Sequence, residues 1–557
     1  MNGKRAFFLA FAAAALVVAA TGPAQAVLRQ VPLSYPTIQA AENASLPGDT
    51  ITIQTGVYFE NVTVDVDRLT IQGTSCAAPP IVDGGNFVND VFYVTSVNVK
   101  FQCLVLRHGD DGIYADPGTG LTVNQVKIFN TGEDGIYIAD GDYFNIQNTQ
   151  ITGPGSDGIY VEEGDYGVIL KTTVRQTDEY CFYLDDVYNG RFESNTAFQC
   201  EDEYGFYIYG DYNSIRSNTA THTEYSGLYV YGDHNAIAKN VLDNTGYSDE
   251  SLYVVGDDNV IEYNTVSNTY YDAIDAYGDR NVIRYNTLTN FFDDYCIDFG
   301  GEDVKVLYNT CTYGYYGIYT DGYARPRIEG NVVRSAGFDS FDITATAPVV
   351  LNNRAEKSGD DLFDLECTGD CAFGLIQGNV ADGAADDSDC FNISIGDPAG
   401  ISITGNTAQN CSEDGFYVDC DFCKLTSNTA KKNGNEDDCG IMVYGDGNTL
   451  TSNVASENDC TGFCIEGYRN VLRTNRAETN LQEGFLLIAG YSDNLLDRNV
   501  ARVNLAEGID NKADATDLTS NSSSGNRTDC TNDGTIDLNT ANLCSDGSNF
   551  LVTSQID

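Results

Sequence analysis

Apolar and polar positions alternate in short bursts along this chain, and the bursts recur. The stretch Gly227-Leu-Tyr-Val-Tyr-Gly-Asp-His-Asn-Ala-Ile-Ala-Lys-Asn240-Val-Leu-Asp-Asn-Thr shows the grammar. Short runs of β-branched or aromatic residues alternate with polar ones, and Gly, Asp and Asn close each run. Period-2 alternation of this kind predicts strands, and the closing residues are turn formers. No stretch of the repeat carries a helical period.

One asparagine keeps the count. It returns at Asn195, Asn218, Asn240, Asn264, Asn286, Asn309, Asn331 and Asn353, then at Asn379, Asn406, Asn428, Asn453, Asn475, Asn499 and Asn521. The spacing is mostly 22 to 25 residues, stretched to 26 and 27 around Asn379 and Asn406. Units of this length with two or three short strands predict coils of a parallel β-helix; the leucine consensus of another solenoid is absent, and a propeller blade needs about 40 residues. The Asn is expected to take the left-handed bend and to bond its equivalents in a ladder. Roughly 20 coils at the ~4.8 Å strand spacing predict an all-β rod on the order of 90–100 Å long, built as one domain.

Stacking turns each repeat position into a column. In the Gly-Ile-Tyr-Val element the apolar residues are expected inward and the Tyr outward. The outward column then reads Tyr114, Tyr137, Tyr160, Tyr183, Tyr207, Tyr229, Tyr253, Asp275, Asp298, Tyr319, Asp342 and Asp364, with Tyr417 further along. Cross-strand stacking would explain the tyrosines structurally; a platform for a flat sugar face would explain them functionally. Where Tyr changes to Asp, carboxyls on adjacent coils fall near the ~5–5.5 Å of a retaining glycosidase pair, and those two coils apart near the inverting range. Asp275, Asp298, Asp294 and Asp342 are therefore the candidate catalytic residues, with cation binding or a solvated acidic face as alternatives. A second acidic column at the Gly-Asp turn includes Asp211, Asp233, Asp257 and Asp279; these are solvated or share calcium.

Charge narrows the partners. Thirty basic against 82 acidic residues give −52, which excludes nucleic acid and repels polyanionic polysaccharide unless cations intervene. Seventeen cysteines fit an oxidising compartment. Cys181 and Cys200, Cys296 and Cys311, Cys390 and Cys411, Cys439 and Cys460, and Cys530 and Cys544 are close in sequence. Spacing leaves their connectivity open, and an odd total leaves a thiol over. Cys420-Asp-Phe-Cys423 has no second such pair or nearby His to complete a zinc site. Lys4 and Arg5, the apolar run Ala6 to Ala20 and Ala24-Gln25-Ala26 predict a secretory signal peptide over residues 1–26, with a retained anchor as the alternative. No other stretch is long enough to span a membrane.

Residues 27–75 are expected to form an N-terminal cap with the first coils. Tyr35 to Ser45 reads as a short helix begun by Pro36 and Thr37 and ended at Pro47-Gly48-Asp49. Tyr35-Pro-Thr-Ile-Gln-Ala-Ala, Pro47-Gly-Asp-Thr-Ile, Gly56-Val-Tyr-Phe-Glu-Asn-Val62, Ile71-Gln-Gly73 and Ile81-Val-Asp-Gly-Gly85 resemble the N-terminal cap of the pectin methylesterase and pectate lyase superfamily. That resemblance implies a helix covering the open end of a right-handed parallel β-helix, and a saccharide groove on the sheet that bears the Tyr/Asp column. The acidic cluster is similar to that of polygalacturonases, but their Asn-Thr-Asp, Gly-His-Gly and Arg-Ile-Lys motifs are absent. A likeness to periplasmic copper-maturation β-helix proteins meets only two Met and three His, a poor copper set. Coils are expected over 76–521, with 522–557 breaking period to cover the C-terminal edge.

The reading that follows is a secreted protein engaging a polysaccharide or cell-surface glycan through the Tyr/Asp column. The alternatives are an adhesin-like rod, with or without stabilising calcium, and a polysaccharide hydrolase or lyase.

Overall fold

The computed structural model describes residues 26–546 apart from Asp370, Ala372, Asp386 and 397–399. The expected signal peptide and residues 547–557 of the tail lie outside the described residues. The chain winds as a parallel β-helix whose coils each contribute a strand to three long sheets, the largest of 23 strands. At ~4.8 Å per strand this is a rod on the order of 100 Å long.

One coil shows how the sequence builds the rest. Val282–Arg284 enters the first sheet, Thr287–Phe291 the second and Ile297–Gly300 the third. Ile283, Leu288, Ile297 and Phe299 turn inward and are fully buried, which is the period-2 pattern expressed in space. Each strand pairs in parallel with its equivalents, so Ile283 lies between Ile261 and Val306. Where the inward residue is Phe, the rings stack along the axis. Phe341, Phe363, Phe391 and Phe416 stand 4.6–4.7 Å apart with nearly parallel planes.

The turn between the first and second sheets has two residues, here Tyr285 and Asn286. The recurrent Asn is buried there, and its amide is fully employed. Asn309 Oδ1 accepts the backbone N–H of Asn286 at 2.9 Å and the Asn286 side-chain amide at 3.0 Å, while its own Nδ2 donates to the Ile283 carbonyl at 2.9 Å. The left-handed bend, however, falls on the residue before it: Tyr285 and Tyr308 both have φ of 56°. The expectation that Asn itself takes that conformation is corrected. The Asn must aim its amide inward, so its neighbour makes the reversal.

Two further ladders occupy the other corners. Asn213, Asn235, Asn259 and Asn281 link the third sheet back to the first. Asn433, Asn458, Asn480, Asn504 and Asn526 do so between the second and third. The main ladder also passes Asn521 and ends on Asn542. Strands Ser522–Ser524, Thr528–Asn532, Ile536–Thr540 and Leu543–Cys544 continue the winding, so this part of the tail keeps the period rather than breaking it.

At the other end a short helix, Ile38–Glu42, is capped by Thr37, whose hydroxyl accepts the Ala40 N–H at 3.1 Å. Ile38 and Ala41 are buried against the strands Leu28–Val31, Thr50–Ile53 and Val62–Val64. Eight disulfides brace the coils, four of them the sequence-close pairs and one the Cys420–Cys423 pair. Cys439 bonds Cys464, not Cys460. Cys439 and Cys464 stand on neighbouring strands of the third sheet, and Cys460 is a buried free thiol. No helix among the described residues is long and apolar enough to cross a membrane.

The ladder predicts an asymmetry between neighbours. Asn309→Ala strands a buried N–H and a buried carbonyl, at about 1–3 kcal/mol for each group left unsatisfied, and should lower the urea midpoint clearly. Tyr308→Gly meets the left-handed backbone without strain and should change it little. Equal losses in the two variants would contradict this division of labour.

Candidate functional site

The third sheet carries the Tyr/Asp column in the register read from the repeat. Tyr114 pairs with Tyr137, Tyr137 with Tyr160, and Tyr229 with Tyr253. Tyr253 pairs with Asp275, Asp275 with Asp298, Asp298 with Tyr319 and Tyr319 with Asp342. Asp364 and Asn392 follow, then Tyr417.

The tyrosine rings spend their faces on one another. Tyr114 and Tyr137 stack at 4.7 Å, Tyr160 and Tyr183 at 4.6 Å, and Tyr207 and Tyr229 at 4.8 Å. Tyr180, from the loop before the third sheet, lies flat on Tyr183. The column therefore offers ring edges and hydroxyls along most of its length, not open faces for a sugar to lie on. The sequence specified which residues point outward; it did not specify how their rings turn.

Four of the outward aspartates differ in depth. Asp275 is 5% exposed, whereas Asp298, Asp342 and Asp364 are half-buried. Burial pushes Asp275 up to about 9, helped by the charges of Asp298 and Glu250. Burial raises Asp298 to about 6, restrained by the Tyr277 hydroxyl, which donates to its Oδ2 at 2.9 Å. Asp342 also reaches about 6, through burial and then the charges of Asp321 and Glu366. Asp294 is half-buried and raised by burial and by Asp293. Of the candidate catalytic residues, Asp298 and Asp342 reach the surface on either side of Tyr319; Asp275 lies beneath it.

The depth of Asp275 comes from the loops that join the second sheet to the third. Residues 244–251 and 270–273 bring Glu250 and Asp272 to it, and one carboxylate oxygen from each of the three lies within 4.8 Å of the others. A similar group, Asp339, Asp360 and Asp361, lies beside Asp342 and is half-exposed. The 244–251 loop also sends Tyr247 to its other side. There Tyr247, Tyr270 and Phe292, all exposed, line a groove of about 480 Å³ with His222, Asn244 and Asn268. The repeat pattern gives no hint of this groove, because irregular loops build it. The one available signal was the run of aromatics just after the second strand.

The Gly-Asp column is arranged differently. Oδ1 of Asp211, Asp233 and Asp257 each accepts the backbone N–H of the next coil's Asp at 2.7–2.8 Å, and Asp279 accepts that of Glu302. Arg280 bonds Asp257 and Asp258. These four form an amide-bonded row along the axis. Among the described residues, the convergent carboxylates are elsewhere.

A further row is formed by Asp111, Asp134 and Asp157, which stand immediately before Gly-Ile-Tyr in three successive coils. Asp111 Oδ1 accepts the N–H of Asp134 at 2.7 Å, Asp134 that of Asp157, and Asp157 that of Tyr180. All three are buried. Burial lifts Asp111 and Asp157 to about 8 and Asp134 to about 6. A carboxyl raised on folding retains a proton that the unfolded chain releases, so its contribution to stability is full below pH ~4 and is lost as pH rises towards 8. The melting temperature should therefore fall by several degrees between pH 5 and pH 8. Asp111→Asn with Asp157→Asn should flatten that slope, and a melt that holds or rises over this interval would refute the assignment.

The family described as right-handed β-helix region matches residues 87–245 and 226–385, together more than half of the chain. Residues 370–524 are similar to periplasmic copper-binding protein (NosD), although none of the three histidines falls in that segment. No curated protein matches the sequence. Similar solved structures include an alginate lyase of family PL6 in complex with trisaccharide, at 12% identity and TM-score 0.35, covering 57% of this chain and 81% of that one. Another is the A-module of mannuronan C-5 epimerase AlgE4 from Azotobacter vinelandii, at 12% and 0.29, with coverages of 62% and 88%. The catalytic unit of an α-1,3-glucanase from Streptomyces thermodiastaticus is similar at 16% and 0.33, with coverages of 67% and 71%. At these scores the likeness is one of fold alone.

Proposed function

The chain belongs to the right-handed β-helix family, and from its outward column we propose that it is a secreted protein that holds an extended carbohydrate chain along its third sheet. The observation that carries this reading is the unbroken register from Tyr114 to Asp364. Hydroxyls and carboxyls recur at the ~4.8 Å coil spacing, an interval close to the repeat of an extended glycan. Each sugar can thus meet an equivalent donor or acceptor. The eight disulfides among the described residues suit an oxidising compartment.

The charge favours some ligands over others. A face lined by Asp298, Asp342 and Asp364 favours neutral or amino-bearing sugars, and a uronate chain would need divalent cations between it and the protein. Soluble glycans should bind the intact protein, and Asp298→Asn with Asp342→Asn should weaken binding at least tenfold in titration calorimetry. Absence of binding to any neutral, amino or uronate glycan, with and without calcium, would leave the non-catalytic rod as the better reading.

One geometric feature favours a second, catalytic reading. Asp298 and Asp342 are both solvent-reached and stand two coils apart, about 9–10 Å at the strand spacing, near the separation that leaves room for water in an inverting glycosidase. On this reading one carboxyl protonates the leaving oxygen and the other activates the water. Reducing-end release should fall by at least 100-fold in Asp298→Asn and in Asp342→Asn. Full activity in either variant would remove that residue from the reaction.

A further inference from the structure

We propose that Glu250, Asp272 and Asp275 form a binding site for one divalent cation of the hard, oxygen-seeking class, calcium foremost. Three side chains from two successive coils converge there, each offering a carboxylate oxygen within 4.8 Å of the other two. Oxygens around calcium lie 2.3–2.6 Å from the ion, so ligands on opposite sides of it stand about 4.6–5.2 Å apart. The set is all oxygen, with no His or Cys, which excludes the softer metals by chemistry.

Convergence of acids alone is common on so acidic a surface. What distinguishes this cluster is Asp275. Its side chain is buried, and its Oδ1 has no hydrogen-bond donor. A buried carboxylate oxygen left bare costs free energy that folding does not recover. The surrounding groups do not relieve it, since Asp298 and Asp294 add further negative charge. Asp272, by contrast, uses Oδ1 to accept the Tyr295 N–H at 2.6 Å. The neighbouring group of Asp339, Asp360 and Asp361 is half-exposed, and none of its oxygens is buried without a partner.

A cation here would join the 244–251 loop to the third sheet. Glu250 stands at the end of that loop and Asp275 on the strand Ile274–Tyr277, so the ion fixes how far the loop closes over the column. It would sit one coil from Asp298, where it lowers the cost of bringing a negatively charged sugar to the face. The site itself stands on the cluster geometry and holds whether or not a glycan binds.

The test is calcium titration of the intact secreted chain in 0.15 M NaCl, read by calorimetry and by thermal melting. Wild-type protein is expected to show one saturable site above the weak surface background, and a melting temperature raised by calcium. Asp275→Asn keeps the shape and should lose that site and the calcium-dependent rise. Glu250→Gln, at a half-exposed position, should do the same and guards against a folding defect in the first variant. Asp342→Asn should retain both. Wild-type protein without a saturable site, or folded Asp275→Asn and Glu250→Gln proteins that still bind one ion each, would overturn the proposal.

Discussion

Every coil of this protein must reverse direction three times, and each reversal removes backbone N–H and C=O groups from the sheets. Satisfying those groups is the constraint on which the rest depends. The chain meets it with side chains that bond along the axis: amides at the first corner, amides and carboxylates at the others. Hydrophobic burial supplies the bulk of the driving force, but apolar side chains alone would let one coil slide against the next. Buried amides that accept from one coil and donate to its carbonyls fix the axial register, and only with that register fixed do Tyr114 and Asp298 belong to one line.

Carboxylates do the same work as amides at lower security. Asp111, Asp134 and Asp157 accept N–H groups as Asn does, yet each is a titratable group whose charged form burial disfavours. That choice ties the stability of the rod to proton concentration in a way the Asn ladder does not. Where Arg is near, as with Arg280 over Asp257 and Asp258, the same geometry is balanced. The acidity of the chain is thus not one property: some carboxylates are structural acceptors, some are solvated, and a few converge.

Much of the fold was legible because a parallel β-helix repeats its logic. The spacing of Asn195 to Asn521 gave the coil, and the alternation in Gly-Ile-Tyr-Val gave the direction of each side chain, so the column of Tyr and Asp could be written down without coordinates. Depth was not legible. Asp275 and Asp298 occupy the same repeat position, but the eight-residue loop 244–251 of the preceding coil brings Glu250 over Asp275, and no periodic rule describes that loop. Ring orientation was equally hidden, because Tyr137 and Tyr160 meet edge to face while Tyr160 and Tyr183 stack. Of the two further Asn ladders, the one at Asn213, Asn235, Asn259 and Asn281 could have been read from its Gly-Asp-x-Asn repeat. The pairing of Cys439 with Cys464 could not, since it follows strand adjacency rather than sequence distance.

The two-residue corner has a consequence for how such a protein can change. Between the first and second sheets the turn takes seven residues at 74–80 near the N-terminal end, but from the strand Lys100–Gln102 onward it keeps two, as at Ser194-Asn195 and Arg498-Asn499. The loop ahead of the third sheet varies, spanning 244–251 in one coil and 359–362 in another. Beyond the first two coils one edge of the rod is therefore a spine of constant two-residue turns, while the opposite edge is a margin on which residues can be added or removed without disturbing the winding. Glu250, Tyr247 and Phe292 all stand on that margin. New surface chemistry can be tried there one coil at a time, at no cost to the fold that carries it.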